Sequence, residues 1–325
     1  MNLFPVDSKI PFMRVRGWSI WLSVALMVLS VAVIAFKGFN FSLDFTGGAL
    51  VEVRFAQPTD TEKVRASLEK AGLKGVSVQS YSATDMGIKV QSEESKPVPA
   101  ESEAKDKPPE EAKKTVADHV MKALADGGFN AEMRSSDFVG PQVGKELMND
   151  GILALIFVGL GIFIYVVFRF EWKFAVAAIS CEIHDVVILL GFFALTGIEF
   201  DLATLAAVLA VIGYSVNDTI VVFDRVRENF LTARKTDTIE LFNASINTTL
   251  SRTTITSSTT LISALSLLFL GGPVLHGFAI CLVFGIVLGT LSSIFFACPV
   301  LLLLGTNKRD LLSQREDDPR LQAMP

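Results

Sequence analysis

Charged residues are scarce in this 325-residue sequence: Asp, Glu, Lys and Arg together make up 19% of it, whereas half of its residues are hydrophobic. Cysteine is also rare, since only Cys181, Cys281 and Cys298 are present, and all three lie inside apolar runs. Neither a disulfide framework nor a clustered metal site is therefore expected. With a mean hydropathy of +0.47, the composition favours a membrane protein over a soluble one.

Six apolar runs are long enough to cross a hydrocarbon core of about 30 Å, which needs about 20 residues. They cover residues 18–36, 151–168, 174–196, 202–223, 253–270 and 277–304. We therefore expect a polytopic α-helical membrane protein with six transmembrane helices. The first run exceeds the apolar core of a cleaved signal peptide, so it is interpreted as a retained signal-anchor.

Lysine and arginine are absent from two of the short connections, 197–201 and 271–276. They occur instead in the N-terminal arm, the 169–173 turn, the 224–252 connection and the C-terminal tail. Basic residues thus mark alternate connections, and the positive-inside rule predicts that both termini are cytoplasmic.

Residues 38–150 form the only large polar segment and are expected to lie outside the cytoplasm. Periodicity predicts strands at 49–55, 76–81, 87–91 and 131–138, with helices at 60–71 and 110–125. This β-α-β-β-α-β order indicates a small ferredoxin-like α+β domain. A stretch at about 92–110, rich in Pro, Glu, Lys and Ser, is interpreted as a disordered, solvated insertion.

These boundaries divide the chain into five parts. They are an arm at 1–17, transmembrane helix 1 at 18–37, the polar domain at 38–150, transmembrane helices 2–6 over 151–304, and a tail at 305–325.

Two charged residues in the apolar runs point to function. Asp218 lies near the end of the fourth run, and Arg252 stands at the start of the fifth. If the chain reverses near Lys235, both lie at the same height in a helical hairpin, where an ion pair or a shared water would lower the cost of each charge. Asn217 and Thr219 are interpreted as local polar support for Asp218.

Hydroxyl side chains add a second pattern near this pair. Arg252, Thr256, Thr259, Ser263 and Ser266 recur at helical spacing on one face, and Ser215 lies on the face of Asp218. Such a stripe could line a water path for protons. The alternative is that these hydroxyls only permit close packing or bond to their own backbone.

Three further polar residues lie in the third run. His184 and Asp185 could shuttle a proton or could simply satisfy each other inside the bundle, and the sequence does not decide between these readings. Glu182 is expected to reach towards the cytoplasmic side. Gly285 and Gly289, in the sixth run, are expected to permit close helix packing.

A final motif, Asp44-Phe-Thr-Gly-Gly48, follows the first run directly. The glycines Gly47 and Gly48 suit a turn where the chain leaves the membrane and enters the first strand. On its own, the motif indicates a structural turn in which Asp44 has no assigned task.

Taken together, several motifs resemble the SecD/SecF family of protein-export membrane proteins, and specifically its SecF members, almost from end to end. They are 44–48 (DFTGG), 139–147 (VGPQVGKEL), His184-Asp185, 213–219 (GYSVNDT), 224–229 (DRVREN), and 250–254 (LSRTT) followed by Thr256-Ser257. The main departure from the family is the insertion in the polar domain.

This resemblance implies a non-enzymatic, RND-like subunit of the bacterial inner membrane that uses the proton motive force to promote preprotein translocation. Asp218 and Arg252 would take part in proton transport, with no cofactor besides the proton gradient. The implied partners are SecD, the SecYEG translocon, unfolded preprotein and membrane lipids, with YajC and YidC as further candidates and no nucleic acid.

Two other functions are compatible with parts of the sequence. A small-molecule efflux transporter of RND type normally has twelve spans and two large outer domains, so six spans and one domain favour half of a heteromeric pair. A purely structural scaffold, in which the buried charges only hold helices together, is distinguished by replacing Asp218 with Asn.

Overall fold

A computed structural model describes residues 9–73, 75–91, 109–232 and 237–306. By their contacts these residues divide into two units. The α+β unit consists of Phe41–Leu153 together with Glu199–Leu202, and the helical unit contains the other described residues. The predicted insertion lies almost entirely outside the described residues, as do the reversal near Lys235 and most of the C-terminal tail.

The chain forms ten α-helices and four strands over the described residues. The first part contains α1 (Arg16–Lys37), α2 (Leu43–Thr46), β1 (Gly48–Phe55), α3 (Thr61–Lys70), β2 (Val76–Ser80), β3 (Asp85–Gln91), α4 (Pro109–Asp126) and β4 (Ala131–Val139). The second part contains α5 (Pro141–Arg169), α6 (Trp172–Thr196), α7 (Leu202–Thr232), α8 (Thr238–Leu270), α9 (His276–Ser292) and α10 (Cys298–Leu303).

The α+β unit contains one four-stranded sheet in the order β2-β3-β1-β4. All neighbouring strands are antiparallel, and Val51 of β1 lies opposite Ile88 of β3 and Ser136 of β4. Placing β3 between β1 and β2 gives the split β-α-β arrangement of ferredoxin-like domains. The predicted fold of this segment is confirmed.

Alternation along β1 determines which face of the sheet is buried. Val51, Val53 and Phe55 are at most 3% exposed and pack with residues of α3 and α4, whereas Glu52 and Arg54 lie on the opposite face. A side chain every second residue points to the same face, so this pattern fixes the register of the strand.

Helix α3 begins where the sequence supplies a cap. The Asp60 carboxylate accepts the backbone N–H of Glu62 at 3.1 Å, which satisfies one of the donors that the first turn leaves without a partner.

The open face of the sheet carries an ion pair. Arg54 donates to Asp85 from Nε at 2.6 Å and from Nη2 at 3.1 Å, and Ser82 adds a hydroxyl donor at 2.9 Å. These donors stabilise the carboxylate form, so the bond from Arg54, followed by that from Ser82, lowers the pKa of Asp85 below its usual value.

Six helical segments are long and apolar enough to cross a membrane, as predicted. They are Phe12–Lys37, Pro141–Arg169, Trp172–Thr196, Leu202–Thr232, Thr238–Leu270 and His276–Leu303. Several extend well beyond the predicted runs, because their polar ends continue the same helices. Trp18, Trp21 and Trp172 lie near helix ends and are more than half exposed, which suits interfacial anchors.

Glycines bring helices of the helical unit into close contact. A Cβ added at Gly191 of α6 would lie 2.3 Å from Ser30 of α1, and one at Gly285 of α9 would lie 2.4 Å from Val211 of α7. A Cβ at Gly289 would come within 3.0 Å of Ser215. The predicted packing role of Gly285 and Gly289 is therefore confirmed.

The sixth span is not one regular helix. A π-helical segment, Ser293–Ala297, separates α9 from α10. Pro299 lies just after it and has no backbone N–H to donate to the carbonyl four residues earlier, so the regular ladder is interrupted here. In the sequence, Pro299 is the only residue of this apolar run that indicates the interruption.

Candidate functional site

Asp218 lies inside the helical unit, with 2% of its surface exposed. Its carboxylate accepts one hydrogen bond, from Ser257 Oγ of α8 to Oδ2, at 3.4 Å. Ser257 also receives a hydrogen bond from the Tyr214 hydroxyl at 3.1 Å and lies 2.7 Å from the hydroxyl of Thr290 on α9. We call these four residues the Asp218 cluster. It joins α7, α8 and α9.

The hydrogen of Ser257 is shared between two acceptors. Thr290 donates its own hydroxyl hydrogen to the Ile286 carbonyl at 2.7 Å, so it is an acceptor towards Ser257. The short contact to Thr290 therefore competes with the longer one to Asp218 for a single hydrogen. As a result, a charged Asp218 is only weakly hydrogen-bonded among the described residues.

The expected direct ion pair between Asp218 and Arg252 is not formed. Arg252 is exposed, and none of its nitrogens lies within 4.0 Å of an Asp218 oxygen. Equal height in a hairpin did not fix the direction in which each side chain points. The alternative of a shared water stays a prediction.

A second polar cluster surrounds Asp185, which is 2% exposed on α6. Its Oδ2 accepts hydrogen bonds from Ser215 of α7 at 2.6 Å and from Ser292 of α9 at 2.8 Å. Its Oδ1 lies 2.9 Å from His184 Nδ1, and the His184 ring stacks on Phe296 at 4.3 Å. We call His184, Asp185, Ser215 and Ser292 the Asp185 cluster.

The two clusters share the same two helices. Ser215 and Asp218 are one turn apart on α7, while Thr290 and Ser292 are two residues apart on α9. The close contacts at Gly285 and Gly289 hold these helices together at this level. Together the two clusters contain five hydroxyls, two carboxyls and one imidazole on four helices. Such groups can hold or pass protons.

The predicted hydroxyl stripe, Thr256, Thr259 and Ser263, lies away from both clusters. Thr259 and Ser263 are exposed, and each of the three hydroxyls donates to a carbonyl of its own helix, at 2.9 to 3.1 Å. This geometry is that of the backbone-bonding alternative. Ser215, grouped with the stripe from sequence, belongs instead to the Asp185 cluster.

The neighbours of Asp218 in sequence differ from each other in position. Asn217 is exposed, and as the preceding residue it lies about 100° around α7 from the buried carboxyl. Thr219 is fully buried beside it. The residue that contacts Asp218, Ser257, was recognised in the sequence only as part of a family motif. It is five residues beyond Arg252, which turns it about 140° around the helix.

Glu182 does not reach the cytoplasmic side as expected. It is 5% exposed, and neither side-chain oxygen has a hydrogen-bond partner among the described residues. It lies one turn before Asp185 on α6, which faces the bundle interior over much of its length, so the predicted extension towards water is wrong.

Asp44, Gly47 and Gly48 lie in the α+β unit, where Gly47 follows α2 and Gly48 is the first residue of β1. Asp44 is in α2 and accepts the backbone N–H of Leu202 at its Oδ2, at 3.1 Å. Gly47 and Gly48 have φ values of +72° and +130°, which favour glycine and produce the turn that the sequence predicts.

Within the described ranges, no group of three or more His, Cys, Asp and Glu side chains is arranged to hold a metal ion. All three cysteines are buried and form no disulfide, as predicted. The polar groups of the two clusters form the candidate functional site.

Comparison with protein families finds two matches. Residues 119–307 match the family described as "Protein export membrane protein SecD/SecF, C-terminal". Residues 32–59 match the "SecD/SecF GG Motif", which contains Asp44, Gly47 and Gly48.

Individual relatives cover nearly the whole chain. The protein translocase subunit SecF of Pseudomonas aeruginosa is 43% identical over 312 residues, which are 95% of this chain and 96% of that protein. The corresponding subunit of Escherichia coli O157:H7 is 38% identical over 94% of this chain and 90% of its own length.

Solved structures agree. The crystal structure of SecDF, a translocon-associated membrane protein from Thermus thermophilus, superimposes with a TM-score of 0.78 at 37% identity. The match covers 93% of this chain but only 40% of that longer chain. A SecDF structure in the super-membrane-facing form gives a TM-score of 0.67 at 36% identity.

Proposed function

Because the chain belongs to the SecD/SecF family of protein-export membrane proteins, we propose that it is a SecF-type subunit that uses the proton motive force to promote preprotein translocation, with Asp218 as the group that binds and releases the proton. The observation that supports this role is the position of Asp218: it is 2% exposed, lies in a helix able to span a membrane, and accepts one long hydrogen bond. Buried carboxyls of this kind commonly mark proton pathways.

Protonation changes the direction of the hydrogen bonds around Asp218. A charged carboxylate is an acceptor, so it competes with Thr290 for the Ser257 hydrogen. A protonated carboxyl is a donor, so it can donate to Ser257 Oγ, and Ser257 then donates to Thr290 without competition. Because these residues lie on α7, α8 and α9, the proton favours one of two arrangements of the helices.

The energy available limits this mechanism. One charge moving through about 100 mV supplies about 2.3 kcal/mol. A switch from 1:99 to 99:1 needs about 5.5 kcal/mol. One proton therefore shifts a balanced equilibrium, and a complete switch needs several protons or a second protonatable group. Asp185 is a candidate for that second group, since Ser215, which donates to it, lies one turn from Asp218 on α7.

The setting of this mechanism is part of the proposal. Both termini are cytoplasmic, the α+β unit faces outward in the bacterial inner membrane, and SecD completes the bundle beside the SecYEG channel. Arg252 enters the proposal as a positive charge on α8 that acts on Asp218 through space or through water rather than by a direct ion pair.

The test is the isosteric replacement Asp218→Asn, whose amide can neither bind nor release the proton. Export is measured in inner-membrane vesicles that contain the variant with its SecD partner, with and without an uncoupler. We expect the part of export that depends on the proton motive force to disappear while export in the uncoupled vesicles stays unchanged.

The matched control is Asp224→Asn on the same helix, an exposed carboxylate paired with Arg169 at 2.6 Å. It removes one negative charge without touching the cluster and should export like the wild type. If Asp218→Asn responds to the proton motive force as the wild type does while still assembled with SecD, the proposal is wrong and the scaffold alternative stands.

A further inference from the structure

The connection between α6 and α7 belongs by its contacts to the α+β unit. Residues Glu199–Leu202 are grouped with Phe41–Leu153, whereas α7 beyond Leu202 is grouped with the helical unit. Helix α7 is unbroken from Leu202 to Thr232 and carries Asp218. The first residue of the helix that carries the candidate proton site therefore belongs, by its contacts, to the α+β unit.

The first contact is a hydrogen bond at the start of α7. The backbone N–H of Leu202 donates to Asp44 Oδ2 at 3.1 Å. The first N–H groups of a helix have no acceptor within the helix, and a carboxylate there is also favoured by the helix dipole. Asp44 therefore does for α7 what Asp60 does for α3, although it comes from 158 residues away.

Further contacts hold the same connection. The Ser42 N–H donates to the Phe200 carbonyl at 3.0 Å, and Lys89 of β3 forms an ion pair with Glu199. The rings of Phe41, Phe45 and Phe200 lie 5.9 to 6.2 Å apart, within the range of favourable aromatic pairs. Phe45 and Phe200 are 5% and 6% exposed.

The glycine motif packs against a second spanning helix as well. A Cβ at Gly47 would lie 2.8 Å from the Cα of Pro141, the first residue of α5. A Cβ at Gly144, one turn later in α5, would lie 2.9 Å from the Phe45 carbonyl oxygen. The backbone of the motif is thus fitted to α5 on one side while its carboxylate caps α7.

We propose that Ser42–Gly48 and Glu199–Leu202 form a clasp that fixes the start of α7 to the α+β unit, with Asp44 as its positioning residue. This inference rests on the proposed function, since it says how a change at Asp218 reaches the α+β unit. A helix is stiff over the 16 residues from Leu202 to Asp218, about 24 Å. A shift of α7 along its axis therefore moves the clasp, and a displacement of the clasp moves Asp218.

The experiment compares three variants of the full chain assembled with SecD. Asp44→Ala removes the acceptor, and Asp44→Asn removes the charge but keeps an oxygen that can accept the Leu202 N–H. Asp60→Ala is the matched control, because it removes the equivalent cap of α3 in the same unit. Amide hydrogen exchange and export driven by the proton motive force are measured for each.

We expect Asp44→Ala to speed exchange at the start of α7 about fivefold, the usual effect of a lost cap, and to reduce the driven part of export by a similar factor. Asp44→Asn should restore most of both. Asp60→Ala should speed exchange only at the start of α3 and should leave export unchanged.

Three results would overturn the clasp. The first is that Asp44→Ala leaves amide exchange at the start of α7 unchanged. The second is that this exchange becomes fast but driven export persists. The third is that Asp44→Asn is as defective as Asp44→Ala, which would assign the effect to charge rather than to capping. None of these results touches the Asp218→Asn test. If Asp218→Asn retains the part of export that depends on the proton motive force, the proposed function fails, and the exchange data still decide whether the Asp44 cap exists.

Discussion

Replacing Gly285 with Ala tests whether close packing of α9 on α7 holds the candidate site together. The added Cβ would lie 2.4 Å and 2.6 Å from the two methyl carbons of Val211. Carbon atoms pack at about 3.5 Å or more, so the contact has to open by about 1 Å. Val211 cannot rotate away easily because β-branched side chains have one strongly preferred rotamer in a helix, so the helices themselves must move.

The size of the effect follows from two opposing terms. Overpacking of this kind costs about 1–3 kcal/mol. Replacing a helical glycine with alanine stabilises the helix by up to about 1 kcal/mol. The control Gly213→Ala, on α7, meets no atom within 4 Å and has only the favourable term. The difference between the two variants therefore isolates the clash, and we expect Gly285→Ala to be the less stable by about 1–3 kcal/mol.

The assay is the free energy of unfolding of each variant in mixed detergent micelles with increasing denaturing detergent. Combining Gly285→Ala with Val211→Ala, which removes both clashing methyls, should restore stability beyond additivity by about 1 kcal/mol or more. Equal stability of Gly285→Ala and Gly213→Ala would refute the packing argument, as would strict additivity in the double variant.

Three other outcomes follow from the geometry. Gly47→Ala should destabilise the chain by more than Gly38→Ala in the same unfolding assay, since both have positive φ but only Gly47 also meets Pro141. Replacing all three hydroxyls of the stripe on α8 with Ala should leave driven export unchanged, because they donate to their own helix; a loss would restore the stripe as a proton path. The pKa of Asp85 is lowered, so its bond to Arg54 should stabilise the fold at pH values above the ordinary aspartate range, and this stabilisation should be lost as the pH falls through the lowered pKa. The measurement is the carboxyl chemical shift of Asp85 across that pH range, with Asp85→Asn to assign the signal. A titration midpoint at the ordinary aspartate value would contradict the prediction.

Much of the fold was accessible from sequence because its signals are local. Apolar runs of membrane-spanning length predicted six helices, and period-two alternation along residues such as Val51 and Val53 predicted the buried strand β1. The helix predicted over 60–71 agrees with α3, Thr61–Lys70, to within one residue at each end. These features depend on neighbours in sequence and on burial, which a pattern of residue types records.

The candidate site was only partly accessible, because it depends on the rotation of each helix about its axis. Counting residues placed Asp218 and Arg252 at one height, but it did not determine which face each presents. A difference of five residues turns Ser257, rather than Arg252, towards Asp218. The role of Asp44 was hidden for a different reason: its acceptor oxygen meets an amide 158 residues later, and no local pattern encodes such a contact.

The distance along the chain between Asp44 and Leu202 also sets an order of synthesis. At about 5–20 residues per second, a ribosome needs about 8–30 s to make the 158 residues that separate them. During that time the whole four-stranded sheet, α5 and α6 are made, while the carboxylate of Asp44 has no Leu202 amide from which to accept a hydrogen bond. The cap on α7 is therefore among the last contacts of the α+β unit to form, and a nascent chain that stops before Leu202 leaves that unit without it.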